Sequence, residues 1–285
     1  MKTYLFIIFQ YLLPHHGLSR LIGVLMNSRK PWLKNRLIKW FIKRYQVDMS
    51  IAVIQNINDY KTFNDFFTRQ IIPAARPFTF NPLNLISPAE GCISQVGGIE
   101  QNKILQAKGK VFTLETLFAC SKTAKMFNNG RFITVYLSPR DYHRVHMPVS
   151  GQLIKMVYVP GRIFSVNPVT TENIPNLFAR NERAICLFET EVGPMAVVLV
   201  GAMLVASIHT RWQGCVTPAA KSTITAFDYQ HTNIFLKQGD ELGYFCLGST
   251  VILLFQENSF SWLEKIQPGN SIQVKETLAI FKHKN

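Results

Sequence analysis

Three short stretches of the chain hold residue types that can do chemistry. Leu247-Gly248-Ser249-Thr250 sets a hydroxyl directly after a glycine. Lacking a Cβ, Gly248 can take a strained backbone conformation and leave its carbonyl open to the next side chain. A serine activated by histidine, with the base oriented by a carboxylate, attacks such a carbonyl as it would any acyl group, here its own peptide bond. The plainer alternative is a turn at the entrance of the apolar run Val251 to Phe255. Tyr142-His143-Arg144-Val145-His146 sets two histidines three apart, as a base, a metal pair or two structural histidines. No nearby residue supplies a further ligand at a recognisable spacing, so no metal is expected. Ser87-Pro88-Ala89-Glu90-Gly91 offers a carboxylate on a turn, where a solvated acid is the ordinary alternative.

These groups need a scaffold, and its texture changes along the chain. Residues 1 to 70 read as helical. From Pro31, a good first helical residue, Leu33, Leu37, Trp40 and Phe41 recur at helical spacing, with Arg36, Lys39 and Lys43 on another side. That pattern fits a helix lying in a lipid interface, or an ordinary surface helix packed on the core. Beyond Pro77, β-branched and aromatic runs at Arg131 to Leu137, Leu153 to Val159, Ala184 to Phe188, Met195 to Ile208, Thr250 to Phe255 and Ser271 to Phe281 are predicted strands. Pro, Gly and Asn turns separate them, and Leu114 to Phe118 is a predicted short helix. The expected class is α+β: a mainly antiparallel sandwich or barrel-like core at 71–285 behind a helical region at 1–70.

Charge points to a partner. The 285-residue chain carries a formal charge of +14, and nine of its 31 Lys and Arg precede Asp48, its first acid. An acid-free basic segment seeks a polyanion, nucleic acid or an anionic lipid surface. Tyr4 to Leu13, at about 1.5 Å per residue, reaches only about half of a roughly 30 Å hydrocarbon core, so it is not expected to span a bilayer. The five cysteines are widely spaced, with no Cys-x-x-Cys pair, and read as thiols in a reducing compartment.

The chain resembles the phosphatidylserine decarboxylases of the bacterial type. The resemblance rests on an ordered series: Phe63-Asn64-Asp65-Phe66-Phe67-Thr68-Arg69, Ser87 to Gly91, Gln106-Ala107-Lys108-Gly109 and Val135 to Pro148. It continues through Tyr158 to Gly161, Phe164-Ser165-Val166-Asn167, Pro175 to Arg183 and Leu247 to Thr250. It implies that Ser249 attacks the Gly248 carbonyl, that the ester eliminates, and that a pyruvoyl group is left at residue 249. The products would be chains 1–248 and 249–285, which stay associated. His146 would take the Ser249 proton, Glu90 would orient His146, and His143 would serve the decarboxylation step. The family has Asp where this chain has Glu90, one methylene longer.

The resemblance further implies that the pyruvoyl ketone forms a Schiff base with phosphatidylserine and releases phosphatidylethanolamine. Expected partners are phosphatidylserine, an anionic membrane surface at the cytoplasmic face, and further copies of the chain, but not nucleic acid. Ser165 and Asn167 are the expected lipid-phosphate contacts. Three rival readings make different demands. A basic membrane- or nucleic-acid-binding protein without activity stays one intact chain. A metal-dependent hydrolase built on the two histidines loses activity to chelators. A pyruvoyl decarboxylase of a soluble amino acid leaves the basic, apolar N-terminus without a task.

Overall fold

Residues 2–13, 15–203, 207–217, 223–256 and 260–281 are described by a computed structural model. Its centre is a nine-stranded sheet in the order Thr225–Asp228, Gly151–Val159, Arg183–Thr190, Met195–Gly201, Ser249–Phe255, Arg131–Leu137, Gly91–Gly98, Ser271–Ile272, with Phe235–Leu236 also beside Gly151–Val159. The pairings are antiparallel. Ser249–Phe255 is buried at every position. Its alternate side chains enter two cores: Val251, Leu253 and Phe255 join Val135 and Leu199, while Ile252 and Leu254 join Phe132 and Val198. A strand covered on both faces requires an unbroken apolar run, which is what its sequence supplies.

The α+β reading with mainly antiparallel strands holds. The barrel-like alternative does not, because the large sheet stays open between its edge strands Thr225–Asp228 and Ser271–Ile272. Two predicted strands are divided. Met195 to Ile208 splits into Met195–Gly201 of the large sheet and Ser207–Thr210 of a four-stranded sheet; residues 204–206 of that run lie outside the described residues. Ser271 to Phe281 splits into Ser271–Ile272 and Thr277–Phe281, with Lys275 between them at φ 68°.

One corner of the fold positions the candidate site. The four-stranded sheet runs Gly214–Cys215, Ser207–Thr210, Glu241–Cys246, Arg144–His146. Two segments leave the large sheet together and enter this small one. Leu137 leads through residues 138–143 to Arg144, and Ser249 is preceded by Leu247 and Gly248 and the strand ending at Cys246. Ser249 pairs with Leu137 on one side of the corner, and Tyr244 with Arg144 on the other. The histidine-bearing turn and the Gly-Ser step therefore bridge the same gap side by side.

Helices α1 (Lys2–Leu12), α2 (His15–Met26), α3 (Pro31–Tyr45) and α4 (Phe63–Phe67) form the N-terminal part. α3 buries Ile38 and Phe41 against Tyr60 and the α4 phenylalanines Phe63, Phe66 and Phe67, and Leu247 packs on this cluster. Lys34 is buried, and its ammonium donates to the carbonyls of Ile57, Asn58 (2.9 Å) and Tyr60. Trp40 of the apolar stripe is exposed, as are Trp32, Arg36, Lys39 and Lys43, while Leu33 and Leu37 are half-buried. α1 docks through Tyr11 on Phe164 (ring centroids 5.3 Å apart) and leaves Tyr4, Leu5, Ile8, Phe9 and Leu12 outward. No helix among the described residues is long and apolar enough to cross a membrane.

Candidate active site

Ser249 is fully buried at the head of the central strand. The backbone before it is strained: Leu247 has φ 79° and Gly248 φ 24°. A left-handed φ is costly for a residue with a bulky side chain. The strain falls at Leu247, just before the Gly248–Ser249 peptide, where the chain turns from one sheet into the other.

His143 meets the serine. Its Nδ1 lies 3.3 Å from Ser249 Oγ, and its Nε2 lies 3.0 Å from the Ser138 carbonyl oxygen. A carbonyl only accepts, so Nε2 carries the proton and the bare Nδ1 accepts from the Ser249 hydroxyl. The ring is fully buried, 4.1 Å from the Phe67 ring between centroids. Burial, reinforced by the nearby Arg69 charge, pushes its pKa down to about 3, so the imidazole is neutral at pH 7.

His146 is held in the opposite tautomer. Its Nδ1–H donates to the Gly239 carbonyl at 2.9 Å, and Nε2 accepts from the Tyr142 hydroxyl at 3.1 Å. Burial raises the Tyr142 pKa, which keeps that hydroxyl a donor. Burial, joined by the charges of Lys275 and Arg144, also lowers the His146 pKa to about 4, partly offset by its hydrogen bond to Gly239 and by the charge of Glu241. Both ring nitrogens of His146 are thus engaged away from Ser249. Glu90 does not reach His146 with its carboxylate either. It forms a two-pronged ion pair with Arg76, at 2.6 and 2.9 Å, on the wall of a cleft of about 580 Å³. What the Glu90 turn gives His146 is a backbone contact, with the His146 N–H donating to the Pro88 carbonyl at 2.8 Å.

The structure thus joins Ser249 to His143, leaves His146 on Tyr142, and leaves Glu90 on Arg76. Ser165 and Asn167 stand in another setting. The Ser165 N–H donates to the Gln10 side chain of α1 at 3.0 Å, and Asn167 caps the helix Pro168–Asn173 through Thr170 N–H. Sequence reasoning passed over three neighbours. Asp141 accepts from the Ser138 N–H at 2.7 Å and fixes the turn whose carbonyl holds His143. Tyr142 holds His146. Arg69 lies over the Phe66 ring and donates to the Arg140 carbonyl at 3.0 Å. The first two sit between the histidines and the Ser-Pro turn, a position in sequence that could have drawn attention to them.

The model of the family described as phosphatidylserine decarboxylase matches residues 63–280, and a second one, described as PSD, matches residues 5–46. Among curated proteins, the phosphatidylserine decarboxylase proenzyme of Pseudomonas fluorescens is 54% identical over 283 residues, covering 98% of this chain and 99% of its own. The protein of the same name from Pseudomonas entomophila is 53% identical over 284 residues, at 98% and 99% coverage. That from Stutzerimonas stutzeri is 54% identical over 282 residues, at 98% and 95% coverage.

Proposed function

The chain belongs to the phosphatidylserine decarboxylase family, and on that premise we propose that it cuts itself between Gly248 and Ser249 and converts phosphatidylserine to phosphatidylethanolamine with a pyruvoyl group derived from Ser249. It is a self-processing decarboxylase. The observation that carries the cofactor reading is the buried Ser249 hydroxyl, hydrogen-bonded to a bare imidazole nitrogen and preceded by strained backbone at Leu247. The residues fit the group: a small ketone at position 249 keeps the place of the buried serine, beside His143, whose ring lies against Phe67. Such a ketone supplies an electron sink for the pair released with carbon dioxide. Full burial of position 249 excludes water from it, and His143 is the ring placed to move a proton there.

For self-cleavage, His146 takes the Ser249 proton and Glu90 supports it, as the motif series suggests; His143 serves the lipid step. Charge favours this division. Burial opposes an imidazolium at both rings; His143 lies wholly buried beside Arg69, whereas at His146 the Gly239 carbonyl and the charge of Glu241 favour it against the charges of Lys275 and Arg144. It requires the His146 ring to leave Tyr142, and Glu90 to act through the turn it shares with Pro88. A second reading, in which His143 takes both protons, is favoured by the 3.3 Å contact.

The exposed Trp32 and Trp40 beside Arg36, Lys39 and Lys43, and the outward apolar face of α1, support peripheral binding to an anionic lipid surface, which we propose to be the cytoplasmic face of the membrane. The two chains stay associated because Ser249–Phe255 is paired on both sides within the central sheet. The test is release of labelled carbon dioxide from carboxyl-labelled phosphatidylserine in vesicles, with free serine in parallel. Turnover of the lipid, abolished by a carbonyl reagent, is expected. Turnover of free serine alone would replace the lipid by a soluble amino acid as substrate.

A further inference from the structure

Arg69 is a buried cation that no carboxylate among the described residues touches, although Glu90, Asp141 and Asp48 act on it from farther off. It is 96% buried by its 4% exposure, its Nη2 donates to the Arg140 carbonyl, and its Nε and Nη1 are buried with no hydrogen-bond partner. None of the ion pairs among the described residues includes it. The neighbouring guanidiniums are already matched, Arg76 with Glu90 and Arg144 with Glu241. Stacking on Phe66 compensates the charge only in part. Leaving buried donors unpaired is costly, and folded proteins rarely do it without a reason.

Self-cleavage creates an anion next to a ring that Arg69 acts on: the Arg69 charge bears on His143, which lies 3.3 Å from Ser249. The Ser249 oxygen attacks the Gly248 carbonyl carbon, the peptide C–N bond breaks with its nitrogen taking a proton, and an ester joins the two chains. Removal of the Ser249 Cα proton then breaks the Cβ–Oγ bond. The electron pair leaves on the oxygen, so residue 248 ends as a carboxylate and residue 249 as dehydroalanine. Water then replaces the nitrogen, which departs as ammonia. Before cleavage the Gly248 carbonyl is neutral; afterwards a full negative charge ends the first chain at the buried corner. Leu247 rests on the aromatic cluster that contains Phe66, the ring beneath Arg69, while Phe67 lies against His143. The aromatic cluster thus connects the cation to the site where the anion forms.

We propose that Arg69 is the counter-ion for the Gly248 carboxylate: its unpartnered Nε and Nη1 are closed over in the intact chain, and one of them, together with the second N–H of Nη2, receives the carboxylate that self-cleavage releases. This rests on the reading of Gly248–Ser249 as the scissile bond. It assigns Arg69 to the elimination step, in which the carboxylate is the leaving group, and to retention of the new chain end in the mature protein. A guanidinium matches a carboxylate with two parallel hydrogen bonds. Burial lowers the Arg69 pKa although the charges of Glu90, Asp141 and Asp48 oppose it, as expected where no carboxylate is in direct contact.

The experiment compares wild type, Arg69→Lys and Arg69→Met by intact mass against time after synthesis, with and without hydroxylamine. Wild type is expected to give the pyruvoyl-ended fragment. In Arg69→Met the pyruvoyl fragment should appear about a hundredfold more slowly, the effect of forming a buried charge without its partner. Because the ester has the mass of the intact chain, its accumulation shows as cleavage by hydroxylamine into residues 1–248 and a fragment beginning with Ser249. Arg69→Lys should recover part of the rate. A purely structural role is separated by thermal unfolding of Arg69→Met in the uncleavable Ser249→Ala background. There the substitution should cost less stability than in cleaved protein, since no carboxylate forms. An equal cost in both backgrounds, or pyruvoyl formation at the wild-type rate, overturns the proposal. A wild-type rate with a raised KM for phosphatidylserine would instead make the lipid phosphate the partner of Arg69. If wild type itself never cleaves, it is the reading of the scissile bond that fails.

Discussion

His143 and His146 are three residues apart, yet the sheet corner that separates them gives their rings opposite tautomers. His143 lies in the turn that bridges the two sheets, and its lone pair faces Ser249. His146 has already entered the small sheet, and its lone pair is taken by Tyr142. Both are neutral because burial disfavours their charge. The difference teaches that contact and capacity for charge are separate requirements of a base. The ring nearest the hydroxyl has the less favourable place for an imidazolium, and the ring with a carboxylate nearby has to move.

Replacing each histidine tests this comparison with the largest effects. His146→Ala is expected to leave the chain whole, with processing slowed by about 10²–10⁴-fold, the usual worth of a general base. His143→Ala is expected to cleave and then to turn over lipid more slowly by a similar factor. Fragment masses and carbon dioxide release check the two outcomes. A His143→Ala chain that stays whole would give His143 both steps, as its contact with Ser249 allows.

The carboxylate beside the pair comes next. Glu90→Gln is expected to slow appearance of the small fragment by about tenfold, since misplacing a catalytic group by a fraction of an ångström already costs a large rate factor. Glu90→Asp should cleave at least as fast as wild type. Arg76→Met tells how Glu90 acts. If freeing the carboxylate from its ion pair speeds cleavage, Glu90 works on His146. If it slows cleavage as much as Glu90→Gln does, the ion pair only holds the turn.

The shared neutrality of the rings sets a pH dependence. Both folded pKa values, about 3 and about 4, lie below the ordinary 6.5. Between those limits the unfolded chain binds more protons than the folded one. The contribution to stability is therefore full above about pH 6.5 and is lost as pH falls toward 4. In the uncleaved Ser249→Ala chain, the thermal midpoint should drop from pH 7 to pH 5. His146→Phe, if folded, should flatten that slope; an unchanged slope would mean that His146 is not buried neutral.

The smallest effect is expected farthest from the corner. Lys39 and Lys43 changed to Glu should weaken binding to anionic vesicles several-fold at low salt and less at high salt, as exposed charges are screened within about 10 Å at 0.1 M. Binding to neutral and anionic vesicles alike would remove the electrostatic role.

What was legible in the sequence follows from how locally each feature is determined. Arg131–Leu137 and Leu114–Phe118 are observed at their predicted bounds, because turn residues and strong local patterns frame them. The division of Met195 to Ile208 was not legible, since an apolar run does not reveal that the chain changes sheets within it. Ser249, Gly248 and the two histidines could be singled out by residue type and order. The tautomers could not, because Ser138, Gly239 and Tyr142 are chosen by the fold. Glu90 was found as a turn acid, but its partner Arg76, fourteen residues earlier, carries no spacing signal. Arg69 was quoted only as part of a motif; its missing partner is visible only in three dimensions.

The central claim, that Ser249 becomes a pyruvoyl group by self-cleavage, is tested most directly by the intact mass of the purified, denatured protein beside its Ser249→Ala variant. The account predicts two chains for wild type, residues 1–248 with a free carboxylate and the 37 residues from 249 to 285 with a ketone in place of the amino terminus, and a single chain for the variant. A wild-type preparation that remains one chain of full mass, resists hydroxylamine and still decarboxylates phosphatidylserine would contradict it.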